Sequence, residues 1–161
     1  MFTISIGKRV LSTEMSDSYN IPVYSANVKE PFGMIDKLLI DDFSKASVLW
    51  GIDGDWMVNY IPANTPFYPT DHCGVLRVDE TKMNPHFVMF MLDIAGKQAA
   101  FNRSNRASID RIKSLTIPNV PLEIQNKVMA EIEEYEAIIV KAQAKMSKCV
   151  EQKQQILKQY L

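Results

Sequence analysis

The chain has 161 residues, 47% apolar and 23% charged, a composition that builds a core and excludes a disordered or low-complexity protein. Its 18 basic residues stand against 19 acidic ones, so a histone-like or polybasic protein is excluded and any basic surface must be local. That length suits one domain of ordinary size plus an appendage, or two small lobes.

In chain order, Thr3 to Ile6 and Val10 to Leu11 read as short strands flanking Gly7. Ile21 to Tyr24 is another, after a polar loop from Ser12 to Asn20. Ser47 to Ile52 is a strand that runs into the turn Gly51-Ile52-Asp53-Gly54-Asp55, and Trp56 to Ile61 is expected to return beside it as a hairpin. Gly74 to Val78 is a further strand. A helix is expected from the N-cap Asn84 and Pro85 through Phe87, Val88, Phe90, Met91, Ile94 and Ala95 to Gly96; it is apolar nearly all round and so predicted to be buried. A second, short helix is predicted at about Ser108 to Ser114. Residues 1–120 therefore read as a mixed α+β globular domain.

The prolines of Ile117-Pro118-Asn119-Val120-Pro121 mark a boundary. From Leu122 to Leu161 there is neither glycine nor proline, which predicts a helix of about 60 Å over residues 121–161. It carries a heptad. Ile132, Ile139, Met146, Lys153 and Tyr160 recur every seven residues, and Val128, Tyr135, Ala142, Cys149 and Ile156 form the second register. Lys153 is a polar interruption of the kind that sets register. Leu122 to Glu136 holds five acids and one base, and Ala137 to Leu161 five bases and one acid. Two parallel copies would repel and two antiparallel copies attract, so the helix is expected to pair antiparallel, with a second copy or with a similar helix in a larger assembly. The alternatives are a helix packed on its own domain and charges that only complement the macrodipole.

From Lys97 to Lys113 five bases (Lys97, Arg103, Arg106, Arg111, Lys113) meet one acid, Asp110. Asn102, Arg103, Ser104, Asn105 and Arg106 form a dense set of groups able to bond phosphates or base edges. A solvated basic loop between two helices is the alternative. Catalytic readings fare worse. Asn84-Pro85-His86-Phe87 approaches the loop of adenine-N6 methyltransferases, but His86 replaces the second proline, no glycine-rich donor loop follows a strand at the chain start, and a helix start explains the same residues. No phosphate-binding GxxxxGK[ST] occurs. His72 and Cys73 are adjacent and would point to opposite faces of a strand, which argues against a metal or Cys-His site. Gly51-Ile52-Asp53-Gly54 has the spacing of a KH-type clamp, but Asp53 would repel phosphate. Cys73 and Cys149 make no CxxC pair, so neither a zinc nor a disulfide framework is indicated and a reducing cytoplasm is expected. No apolar run reaches about 18 residues, and Met1 to Val10 lacks the pattern of a signal peptide.

Several segments together resemble a target-recognition domain and its following helix from the DNA specificity (S) subunits of type I restriction–modification enzymes. They are Ile6-Gly-Lys-Arg-Val10, Ile21-Pro-Val-Tyr-Ser-Ala-Asn-Val28, Leu49-Trp-Gly-Ile-Asp-Gly-Asp-Trp56, Phe67-Tyr-Pro-Thr-Asp-His-Cys-Gly-Val-Leu76, Phe101-Asn-Arg-Ser-Asn105 with Ile109, Leu115-Thr-Ile-Pro118 and Pro121-Leu-Glu-Ile-Gln125. Asn119-Val120 departs from the Leu-Pro usual in that family. The resemblance implies two such domains per subunit, each reading half of a split site in duplex DNA, with long helices as an antiparallel coiled-coil spacer. It implies adenine-N6 methyltransferase (modification) subunits as partners, a restriction subunit beside them, and neither catalysis nor a cofactor in the S subunit itself. With one domain and one helix, the chain is expected to be a homodimerising half-subunit or a fragment of a longer one; the start at Ile6-Gly7 leans toward a fragment. A recognition part of a fused methyltransferase and a pure assembly module are the alternatives. On this reading Lys97, Arg103, Arg106 and Lys113 are expected at phosphates, and Asn102, Ser104 and Asn105 at bases or phosphates. Tyr68 and the Gly51–Asp55 turn follow them.

Overall fold

The computed structural model describes residues 2–160. The chain divides into two compact units, Met1–Gln125 and Asn126–Leu161.

The first unit is built on a four-stranded antiparallel sheet in the order β1 (Phe2–Ile6), β7 (Cys73–Val78), β4 (Ser47–Gly51), β5 (Val58–Ile61). A three-stranded sheet, β3 (Gly33–Ile35), β2 (Ile21–Tyr24), β6 (Tyr68–Pro69), stands beside it, with β2 and β6 parallel. All five residues of β4 are buried, because both faces of this central strand are covered. Val48 and Trp50 face one core with Leu76, Val78, Val88, Leu92 and Ile112, while Leu49 faces another with Val28, Phe67 and Val75. The expected hairpin forms, with Ser47 opposite Ile61 and Trp50 opposite Val58.

Val10 and Leu11 are not a strand. After β1 the chain folds back, Lys8 N–H donating to Pro69 O at 3.2 Å, and enters a 3₁₀ turn at Ser12–Glu14 with Leu11 exposed.

Helix α1 (Pro85–Gln98) starts as its sequence dictates: the Asn84 side chain accepts from the N–H groups of His86 and Phe87, and Pro85 opens the first turn. It does not end at Gly96. A β-carbon there would lie 2.1 Å from the ring of Trp56, so Gly96 makes room for an indole, and Trp56 Nε1 donates to Asp93 O at 3.1 Å. The turn is closed instead by Ala100, at φ 53°, with Phe101 N–H reaching back to Gly96 O. Nor is α1 buried all round: Phe87, Val88, Leu92 and Gly96 are buried, while Ile94 is exposed. Helix α2 (Ile109–Ser114) follows close to its expected bounds, with Ser108 at the N-cap position but making no side-chain capping bond.

Helix α3 runs over Leu122–Tyr160, 39 residues and about 58 Å. Its first turn is anchored within the globular unit by Gln125, which is 1% exposed. The amide oxygen accepts from Asn84 N–H at 2.9 Å, and the amide nitrogen donates to Val120 O at 2.8 Å and Lys82 O at 3.3 Å. In the second unit every residue from 133 to 160 is exposed, including Tyr135, Ile139, Met146 and Ile156. Among the described residues no helix is long and apolar enough to cross a membrane.

Gly96→Ala forces Trp56 out of its seat and is expected to lower stability by about 1–3 kcal/mol in urea unfolding. Gln125→Ala removes the acceptor of the Asn84 N–H and the donor to two half-buried carbonyl sites, and the same measurement is expected to show a loss of roughly 1–3 kcal/mol.

Candidate nucleic-acid interface

The basic segment of the sequence lies in the connection from α1 to α2. Its frame is made by its own side chains. Asn102 Oδ1 accepts from the N–H groups of Ser104 (2.8 Å) and Asn105 (2.9 Å), and its Nδ2 donates to Ala100 O at 2.9 Å. Asn105 Nδ2 donates to Ala99 O at 2.9 Å, and Arg111 donates to Asn105 Oδ1 and to Arg106 O. Such Asx bonding is the habit of asparagine in turns. One end of the loop is moored by Phe101, whose ring lies 5.2 Å from that of Trp56. The other is moored by Ala107, whose N–H donates to Ile52 O and whose carbonyl accepts from Trp50 Nε1.

These bonds divide the expected contact residues into groups. Arg103 and Ser104 occupy the exposed tip, and among the described residues the Arg103 side chain has no hydrogen-bond or ion-pair partner. Arg106 is held beside the Gly51–Asp55 turn by Asp53, 2.8 Å from Nη2. Lys97 pairs one turn back with Asp93 on the surface of α1. Lys113 lines a different place, a groove of about 810 Å³ beside β1 bounded by Phe2, Ile4 and Leu115. The polar groups of Asn102 and Asn105 are spent on the loop frame. Tyr68, expected at the surface, is in the core: it is 4% exposed and packs with Val23 and Ile35, because β6 joins the second sheet there.

Two residues that sequence reasoning did not assign to nucleic-acid contact, His72 and Arg9, lie near this loop. His72 Nδ1 lies 2.8 Å from Asp53 Oδ2, so Asp53 bridges His72 and Arg106. His72 also borders a hollow of about 340 Å³ with Arg9, Ser25, Phe32 and Thr70. The only sequence signal was their place in the segments Ile6–Val10 and Phe67–Leu76. Arg9 and His72 line one hollow, and Asp53 links His72 to Arg106, three residues along the loop from Arg103; such a set of groups suits a polyanion better than a small substrate.

Cys73 and His72 do not form a nucleophile–base pair. Cys73 is wholly buried, which pushes its thiol up to about 12, and its neighbour His72 is on the surface. Among the described residues no three His, Cys, Asp or Glu side chains are grouped to hold a metal ion.

Comparison with known proteins gives a consistent answer. Residues 1–152 match the family model described as type I restriction modification DNA specificity domain. A Mycoplasma pneumoniae protein bearing the name of a type I specificity subunit is 27% identical over 135 residues, covering 83% of this chain and 37% of that protein. The specificity subunit of the M. pneumoniae type I restriction enzyme MpnII is 28% identical over 109 residues, 66% of this chain and 32% of the relative. The chain thus spans well under half the length of these relatives. The crystal structure of an S subunit from a type I restriction–modification system of M. genitalium shares the fold, with a TM-score of 0.56 at 16% identity over 86% of this chain and 38% of that one. The mixed α+β unit followed by a long helix is common ground between them, and this chain belongs to the type I restriction–modification DNA specificity domain family.

Proposed function

We propose that this chain is the DNA-reading unit of a type I specificity subunit and has no catalytic role of its own. Residues 1–120 dock on duplex DNA and read about three or four base pairs, in the major groove. The observation that carries the reading is the loop 102–106, in a chain of this family: a frame closed by its own asparagines, with Arg103 projecting unpaired from its tip. An arginine so placed contacts a phosphate, or a guanine bidentately. Ser104 stands beside it, Arg106 and Arg9 extend the basic set, and Lys97 reaches a phosphate at its margin, while Lys113 lies apart in the groove beside β1. Asn102 and Asn105 serve by holding the tip in shape.

The long helix α3 pairs antiparallel with a second copy, through Val128, Ile132, Tyr135, Ile139, Ala142, Met146, Cys149 and Ile156, and spaces two reading units along a split site. Modification subunits that methylate adenine N6 and a restriction subunit are the expected protein partners, in the cytoplasm. No cofactor is required for reading.

Binding of a random-sequence duplex by the full chain, followed by fluorescence anisotropy across salt, tests the DNA contact. Arg103→Ala is expected to weaken binding and, for a phosphate contact, to flatten the slope of log K against log salt by about 0.9. A base contact would instead relax selectivity at one position of a selected site. Unchanged binding in Arg103→Ala with Arg106→Ala rejects the loop as the interface, and absence of salt-dependent binding in the native chain favours an assembly module.

Light scattering tests the pairing. A mass twice the 18.3 kDa of the chain is expected at low salt, with monomer appearing as salt rises.

A further inference from the structure

We infer that the paired helices meet in one register, in which Lys153 of each copy lies level with Tyr135 of the other and Cys149 level with Ile139. This rests on the antiparallel pairing proposed above and adds the alignment. In an antiparallel coiled coil an a position of one helix lies level with a d position of its partner. The heptad of α3 offers a small set of alignments that keep this rule, each one heptad from the next. One uses every apolar position. In it Val128 meets Tyr160 of the second copy, Ile132 meets Ile156, Tyr135 meets Lys153, Ile139 meets Cys149 and Ala142 meets Met146, and the two-fold axis repeats each pair. These side chains are available: Tyr135 is 69% exposed, Ile139 53%, Met146 69% and Ile156 56%.

Lys153 selects this alignment. A lysine at a core position needs an acceptor for its ammonium group. Tyr135 is flanked on its own helix by Glu131, Glu134 and Glu136, within reach of a lysine that runs its stem along the ring. Slipped one heptad one way, Lys153 would face Val128, with Lys127 beside it and Glu131 as the one acid within a turn; slipped the other way, it would face Ala142 beside Lys141 and Lys145, with no acid within a turn. The first slip keeps Lys145 and Lys148 level with the acidic segment, but it leaves Ile156 and Tyr160 without partners. The aligned register loses neither.

The native cysteine reports the register directly. Cys73 is buried and does not compete, whereas Cys149 is exposed. The two Cys149 thiols of the aligned pair lie ten residues, about 15 Å, apart along the axis, too far to join. Mild oxidation of the full native chain should therefore leave it uncrosslinked. Ile139→Cys should give a covalent dimer through Cys149 of the other copy, whereas Ile132→Cys and Met146→Cys, which report the two slips, should not. Light scattering on each variant establishes that it still pairs. A covalent dimer from Ile132→Cys or Met146→Cys in place of Ile139→Cys overturns the register while leaving the antiparallel pairing intact. A covalent dimer from the native chain indicates parallel helices and overturns both. A monomer at every salt concentration removes the pairing itself. In Lys153→Leu crosslinks should spread into the Ile132→Cys and Met146→Cys backgrounds; if they stay confined to Ile139→Cys, Lys153 does not set the register.

Discussion

Trp50 is the contact on which the globular unit depends. It is fully buried on the central strand, opposite Gly74, where any β-carbon would fall 2.1 Å from its ring. The missing side chain at Gly74 lets the indole lie flat across β7, and its one polar atom then emerges where Ala107 O can accept it. A buried indole N–H needs such a partner. The bond fixes the end of the basic loop to the middle of the sheet. Trp56 does the same for the loop's beginning, seated on Gly96 and against Phe101. The basic loop is thus suspended between two tryptophan–glycine pairs, and both tryptophans come from the segment Leu49–Trp56.

Much of this was legible in the sequence, for reasons that differ by element. The start of α1 was written in Asn84-Pro85, the hairpin in its turn residues, and α3 in its lack of glycine and proline. These are local signals. What stayed hidden depends on partners distant in the chain. Strands β3 and β6, of three and two residues, exist through their pairing with β2, and no periodicity can show in so short a span. Gly96 reads as a helix terminator, but the need it meets comes from Trp56. Tyr68 reads as a second-rank contact residue, and the neighbours that bury it come from β2 and β3.

The same distinction holds at the candidate interface. Composition marked the segment 97–113 as basic, and it is. Composition could not apportion its members, because the partners of Arg106 and of the two asparagines are set by folding. Asp53, in a turn 53 residues away, neutralises part of the charge around Arg106 and draws in His72. Asparagines that look like base readers in the sequence are bonded to their own backbone. The free cationic surface is therefore narrower than a count of five bases suggests, and it extends across the fold to Arg9 rather than along the chain to Lys113.

That self-contained loop frame has an evolutionary consequence. Asn102 and Asn105 close the turn through backbone atoms, which every residue type supplies, so the frame asks nothing of the side chains at Arg103 and Ser104. Exchanges at two exposed, uncommitted positions alter stability by no more than about 0.5 kcal/mol. The chemistry presented at the tip is free to drift while the scaffold beneath it is conserved by packing. If the tip reads DNA as proposed, a protein built this way can acquire a new preference among targets one substitution at a time, without first being restabilised elsewhere.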